Sequence, residues 1–330
     1  MTSPILSIII PAYNVDKHIE KCLDSIMDSL SAIDKNIYEI IIINDGSQDD
    51  SETICNQFKD KHNNTFVIHK ENEGVSIARN YGILNAQGQY VTFVDSDDFV
   101  NNAFVQILSI IKNFENIDVF QFGYTRIDRK EKVIKRNNYK RNALISLKDE
   151  KLSNDFTFIA AVWCKVYCRN FLIKNNIFFR GGRTNSEDIE FNFNVWSAAN
   201  KIYLSKVNYY MYLCDRKNSN MNSYSVKHYN NQLIPVLLKC NEMLLDIQNN
   251  ERLSKSLFNF LVAHSYNGLD KVVRVANKEE LSNIISVLRN NKFLVSYPKS
   301  LPISGKMFWV ARRVLGIKIS AHILHLILGN

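Results

Sequence analysis

Three carboxylates crowd the end of one apolar run: Val91-Thr92-Phe93-Val94 leads directly into Asp95, Asp97 and Asp98. Carboxylates this close repel one another, and each pKa rises unless a cation or hydrogen bonds compensate. All-oxygen ligands suit a hard divalent ion, Mg²⁺ or Mn²⁺, which binds through one or two carboxylates plus substrate phosphates. A competing reading makes Asp97 or Asp98 the cap of a helix that begins near Asn101. A second acidic pair, Glu187-Asp188, follows the basic loop Arg180-Gly181-Gly182-Arg183 and precedes Ile189–Phe193, the start of a helical pattern. On residue type alone, such a pair more often complements a helix N-terminus than does chemistry.

These groups need a scaffold, and the first hundred residues supply a regular one. Leu6–Ile10, Glu39–Ile43, Thr65–His69 and Tyr90–Val94 are strand-like runs. Between them Asp16–Leu30, Asp50–Lys61 and Gly74–Ala86 carry apolar residues at helical spacing. Strands alternating with helices imply a parallel, doubly wound sheet. Ligands of such sheets bind at the carboxyl ends of the strands. Polar clusters fall at three of those ends: Tyr13-Asn14, Asn44–Ser47 and Asp95–Asp98. A nucleotide crevice is the expectation. Tyr13 could offer its ring to a base and Asp45 could accept from a base N–H; a surface tyrosine and a turn aspartate before Gly46 are the ordinary alternatives.

The first turn, Pro11-Ala12-Tyr13-Asn14, holds no glycine, which argues against a dinucleotide fold, and no Gly-x-x-x-x-Gly-Lys-[Ser/Thr] loop occurs anywhere. The chain has 330 residues, 46% of them hydrophobic, enough for one large domain and a smaller one. Six scattered cysteines form no Cys-x-x-Cys pair and read as free thiols of a reducing compartment. The N-terminus lacks the basic region of a signal peptide, and no run approaches the ~18 apolar residues of a membrane span. The net charge is +8, with nine Lys or Arg between Arg126 and Lys148 against Asp128 and Glu131. Such a surface attracts phosphates or anionic lipids. No nucleic-acid-binding motif accompanies it, so no nucleic-acid partner is expected.

Four segments together resemble the family-2 glycosyltransferases: Ser7-Ile8-Ile9-Ile10-Pro11-Ala12-Tyr13-Asn14, Ile43-Asn44-Asp45-Gly46-Ser47, Asn72-Glu73-Gly74-Val75-Ser76-Ile77-Ala78-Arg79-Asn80 and Asp95-Ser96-Asp97-Asp98. The likeness is strong over about the first hundred residues and looser to about residue 220. It implies a GT-A fold, a Rossmann-like, mostly parallel α/β sheet flanked by helices. It further implies a nucleotide-sugar donor (most often UDP-linked), Mn²⁺ or Mg²⁺, and inversion at the anomeric carbon. By position, Pro11, Tyr13 and Asp45 would line the base pocket and Arg79 would lie near base or phosphates. Asp95 would meet ribose or metal, Asp97 would ligate the metal, and Asp98 would support the loop or help position the donor. The family pattern makes Asp188 the base that deprotonates the acceptor hydroxyl, with Glu187 orienting it. Trp163-Cys164-Lys165-Val166-Tyr167 resembles a segment whose tryptophan lines the acceptor and sugar pocket, with Cys164 where asparagine is commoner; Trp163 as a core residue is the other reading. Arg216 would cover the diphosphate.

The expected organisation is a transferase domain over 1–220, a helical subdomain over 221–300 and a basic amphipathic tail over 301–330. In the helical part, Leu233, Val236, Leu237, Cys240 and Leu244, then Leu257, Phe260, Leu261 and His264, follow helical spacing, and His264 reads as a hydrogen-bonded core histidine. From Pro298 onward there are five Lys or Arg and no acid, which suits an anionic membrane surface. A terminal helix docked on the core, or a dimer contact, is the plainer reading. The resemblance implies a glycan or polyprenyl-diphosphate-linked acceptor in cell-surface polysaccharide, lipopolysaccharide or capsule synthesis, and a peripheral place on the inner face of the cell membrane. A catalytically silent nucleotide-sugar-binding protein and a sugar nucleotidyltransferase are the competing functions.

Overall fold

The computed structural model describes residues 3–147, 158–182, 186–214, 227, 229–244, 251–273 and 277–290. Strands β1 (Leu6–Ala12) and β2 (Tyr38–Asn44) are buried along their whole lengths, as isoleucine-rich runs are when helices cover both faces of a parallel sheet. Strand β3 (Thr65–His69) joins the outer side of β2, and β4 (Tyr90–Phe93) joins the other side of β1, all in parallel. The crossovers are helices α1 (Ile19–Leu30), α2 (Ser51–Lys61) and α3 (Val75–Asn85).

Each helix sits where its sequence allows. Helix α1 buries Ile19, Cys22, Leu23, Ile26 and Leu30 along one stripe, each large aliphatic contributing roughly 1.5–3 kcal/mol. It begins three residues later than its periodicity predicts. The Val15 and Asp16 N–H groups donate to Ser51 and Asp49 (2.8 and 3.2 Å), which ties that segment to the loop after β2. Helix α3 lies hard against β1, because a Cβ on Gly82 would stand 2.2 Å from Ile9 Cγ2. Gly74, just before it, has φ +92°, a backbone shape that glycine alone adopts without strain.

Beyond β4 the sheet becomes mixed, in the order β3-β2-β1-β4-β9-β6-β10-β5. Strand β9 (Lys165–Cys168) enters between β4 and β6 (Val119–Ile127), antiparallel to both. Strand β10 (Lys201–Leu213) runs parallel to β6 and pairs antiparallel with the short β5 (Phe99–Val100). Strand β7 (Val133–Asn137) pairs with β6, and β8 (Ala143–Ser146) with β10. The helix expected near Asn101 is a 3₁₀ turn, Asn102–Val105, running into α4 (Gln106–Asn113). Its cap is Asn101, whose Oδ1 accepts from the Ala103 N–H at 2.8 Å, so neither Asp97 nor Asp98 serves that purpose. Helices α5 (Arg169–Lys174) and α6 (Glu187–Ala198) complete this part.

The chain divides into two compact units, Met1–Lys217 and Asn218–Asn330. The second contains α7 (Ile234–Leu244), α8 (Glu251–Val273) and α9 (Lys278–Asn290). Val236, Leu237, Cys240, Leu244, Leu257, Phe260 and Leu261 are buried, as their spacing predicts. His264 donates to the Phe260 carbonyl at 2.9 Å, and burial pushes its pKa down. Arg216 and the tail over 301–330 lie outside the described residues. Among the described residues no helix is long and apolar enough to cross a membrane, and the six cysteines are free.

Candidate active site

The acidic turn after β4 and the first turn of α6 meet across a single cation. Arg79, on α3, donates through Nη2 to Asp95 Oδ1 at 2.9 Å and through Nη1 to Glu187 Oε1 and Asp188 Oδ1 at 3.0 and 3.1 Å. The guanidinium is only 3% exposed, lies 5.2 Å from the centre of the Phe179 ring, and has its Nε buried without a hydrogen-bond partner. Three carboxylates around one cation leave excess negative charge. Burial raises the Asp188 pKa, Arg79 pulls it back, and Glu187 and Asp95 raise it again, to about 7 in all. Its side chain is 23% exposed, so solvent still reaches it. Both residues lie in the first turn of α6, where acids complement the helix N-terminus, and both carboxylates also turn to Arg79. In this structure the Arg79 charge is met by protein carboxylates.

Helix α6 is held in place from below. Asn192 Nδ2 donates to the Asp188 carbonyl at 3.1 Å and to the Ala160 carbonyl, while its Oδ1 accepts from the Tyr167 hydroxyl at 3.0 Å. Lys165, wholly buried on β9, donates to the carbonyls of Ile159 and Ala161, and burial lowers its pKa. Sequence reasoning gave Lys165 no role, and the only signal was a lysine set between Cys164 and Val166. Among the described residues no carboxylate pairs with its ammonium.

The acidic turn is fastened separately. Asp98 is buried; its Oδ2 accepts from the Tyr210 hydroxyl at 2.9 Å and its Oδ1 from the Leu213 N–H at 2.8 Å. The Tyr210 oxygen also accepts from the Asp95 N–H at 3.1 Å. Burial and the nearby Asp95 push the Asp98 pKa well up. Asp98 therefore supports the loop. Asp95 and Asp97 are half-buried beside it. Two hard carboxylate donors fit an Mg²⁺ or Mn²⁺ ion that completes its shell with substrate phosphate and water. Among the described residues no group of three or more His, Cys, Asp or Glu forms an all-protein cage.

At the ends of β1 and β2 the turns interlock. The Gln48 N–H donates to Asn14 Oδ1 at 2.8 Å, and the Asn14 N–H donates to Ser47 Oγ at 3.1 Å. Tyr13 presents its ring to solvent at 47% exposure, while Pro11 is buried beneath it. Asp45 is buried at the end of β2. Its Oδ1 accepts from Lys70 Nζ at 2.6 Å and from the Glu73 N–H at 3.1 Å, and its Oδ2 accepts from the Gly74 N–H at 2.8 Å. It orders the 70–74 loop, and Lys70, a half-buried lysine also missed in the sequence, holds it there. Trp163 is buried. Its indole stacks on Tyr210 and Tyr212, with centroids 4.3 and 5.2 Å away, in the main hydrophobic cluster.

Comparison with known proteins bears on the family and the fold. The sequence model described as Glycosyl transferase family 2 matches residues 7–174. The glycosyltransferase EpsJ of Bacillus subtilis (strain 168) is 32% identical over 222 residues, which span 66% of this chain and 62% of that protein. The glycosyltransferase YibD of Escherichia coli (strain K12) is 30% identical over 239 residues, 69% of this chain and 67% of that protein. The crystal structure of S. aureus TarS 1-349 in complex with UDP-GlcNAc superposes with a TM-score of 0.71, covering 98% of this chain and 87% of that one. At 22% identity that likeness speaks for the GT-A fold alone. With its strand-end motifs, its sheet and these relatives in agreement, the chain belongs to glycosyl transferase family 2.

Proposed function

We propose that this protein transfers a sugar, with inversion, from a UDP-linked donor to a hydroxyl of a glycan or polyprenyl-diphosphate-linked acceptor in cell-surface polysaccharide synthesis. The observation that carries the reading is the meeting of Asp188 and Glu187 with Asp95 on Arg79, because it sets a carboxylate base beside the donor end of β4. Asp188 accepts the acceptor hydroxyl proton as the new C1–O bond forms and the bond from C1 to the diphosphate oxygen breaks. The transition state is oxocarbenium-like. A base tuned near the working pH is the efficient choice, and a pKa of about 7 suits it. Arg79 keeps the Asp188 charge tolerable and fixes its direction. Asp95 and Asp97 would hold a divalent cation, which when bound neutralises charge on the departing diphosphate. Tyr13 stacks on the base; Pro11 and Asp45 line that pocket, with Asp45 reading the uracil edge. Arg216 and Trp163 complete the diphosphate and sugar sides.

Two similar proteins support a nucleotide-sugar donor and sugar transfer. TarS has been solved with UDP-GlcNAc and with UDP. A Bacillus spizizenii relative, 33% identical over 219 residues, is named a poly(ribitol-phosphate) beta-glucosyltransferase, and the matched part is 33% of its length. The organisation proposed is a transferase domain over 1–220, a helical subdomain over 221–300 and a tail over 301–330 at the inner membrane face. Calorimetric titration with UDP, with and without Mn²⁺ and against GDP and CDP, tests the donor. Binding of UDP that depends on Mn²⁺ is the expected outcome; preference for another nucleotide would replace the donor class.

A further inference from the structure

The basic run that the catalytic reading leaves unused lies on one structural device, the β6–β7 hairpin. Its turn is fixed by Asp128, whose Oδ1 accepts from the Lys130 and Lys132 N–H groups, both at 2.9 Å. Beyond that turn, residues 129–136 read Arg-Lys-Glu-Lys-Val-Ile-Lys-Arg, five cations against one acid, and every one of them is exposed. The acid is engaged: Glu131 Oε1 lies 2.5 Å from Lys21 Nζ on α1, and that ammonium sits 3.8 Å from the centre of the Phe99 ring. Val133 and Ile134 are 43% and 53% exposed. Adjacent residues of a strand point to opposite faces, so the ribbon carries an apolar side chain on each face, directly behind a cationic tip. Strand β7 has β6 as its only strand partner among the described residues.

The ribbon also stands beside the candidate active site. Its root, Ile127, pairs with Leu213 on β10, and the Leu213 N–H is the donor that fastens Asp98. The two β-branched residues contribute nothing to the core and are flanked by long cationic side chains whose stems can lie along apolar surface while their heads stay in water. A purely ionic partner would give no use for Val133 and Ile134. An anionic lipid surface uses both, with lysine and arginine at the headgroups and the aliphatic pair at the acyl boundary.

We infer that the 128–136 hairpin docks the enzyme on an anionic membrane surface and so presents the candidate active site to a lipid-linked acceptor. This rests on the lipid-linked form of the acceptor proposed above. It names a contact distinct from the tail, and one hydrophobic device plus one basic patch is the pairing that stable peripheral anchoring requires.

The test is co-sedimentation of the full chain with vesicles of phosphatidylcholine, pure or mixed three to one with phosphatidylglycerol. Wild type and every variant share the tail, so differences among them report the hairpin. Wild type is expected to bind the mixed vesicles and not the neutral ones. Each Lys or Arg near an anionic surface contributes about fivefold, so Lys130→Gln/Lys132→Gln/Lys135→Gln is expected to weaken binding at least tenfold. Val133→Ser/Ile134→Ser is expected to weaken it severalfold. Retained UDP binding shows that each variant is folded, and failure of UDP binding in wild type would strike the donor reading instead. Ile134→Trp gives an independent signal, since its emission should shift to the blue on the mixed vesicles. Binding unchanged by both multiple variants, or no shift at Trp in that variant, overturns the proposal. So does a loss on removing the cations alone with full competition by inorganic polyphosphate, which would mark a soluble phosphate polymer as the partner.

Discussion

Arg79 and Asp188 lie 3.1 Å apart although 109 residues separate them in the chain, and the same guanidinium holds Asp95 at 2.9 Å. One cation thus couples the carboxylate next to the donor turn to the carboxylate assigned as base. Loss of that cation would be felt on both sides of the reaction.

Asp188→Asn should abolish transfer, with a fall of about 10²–10⁴ in kcat if it is the base, and should spare UDP binding. For the wild type, the raised Asp188 pKa puts the protonated, inactive form below about pH 7. The kcat/KM profile should therefore climb with pH and level off above about 7. A profile already flat from pH 5, or normal turnover in the variant, would remove Asp188 from that role.

Arg79→Gln removes the positive charge that does most to lower the Asp188 pKa. The acid limb of the rate profile should move upward in pH. Breaking a buried ion pair by taking away one partner costs roughly 3–5 kcal/mol, so thermal unfolding should also come at lower temperature. Arg79→Lys is the control: it restores the charge without the fork that spans two helices and a turn.

Chelation should weaken UDP binding if Asp95 and Asp97 hold a divalent cation, and added Mn²⁺ should restore it. Asp97→Ala should mimic the chelated state and resist rescue by Mn²⁺. Equal UDP affinity with and without chelator would count against a metal-assisted donor site.

Gly82→Ala forces a Cβ to within 2.2 Å of an Ile9 methyl between α3 and β1. Overpacking of this kind costs about 1–3 kcal/mol. Because α3 also carries Arg79, activity should fall more than stability alone explains. Comparing residual kcat at a temperature where the variant is fully folded separates the two effects.

The parallel quarter of the fold was legible because its strands are buried on both faces and so read as unbroken apolar runs between amphipathic helices. Asp95, Asp97 and the Glu187-Asp188 pair stood out through acid clustering and family resemblance. Their convergence on Arg79 did not, since it depends on α3, β4 and α6 meeting in space. Lys70 and Lys165 were passed over for a related reason. A lysine reads as solvent-facing until the carboxylate or carbonyls that meet its ammonium are known. The true helix cap, Asn101, was hidden by the more conspicuous aspartates ahead of it. The insertion of β9 between β4 and β6 has no local signature, because strand order is a property of the whole sheet.

That insertion bears on how the protein comes into being. A ribosome delivers the chain from its N-terminus, and the first four strands are neighbours that can pair as they emerge. Their outer member, β4, waits for β9, about seventy residues later. The acidic turn waits longer still, for Tyr210 and Leu213. An unfinished chain can therefore own the parallel sheet while lacking both Glu187-Asp188 and the clasp on Asp98, and the carboxylate cluster on Arg79 closes only late in the first unit's synthesis.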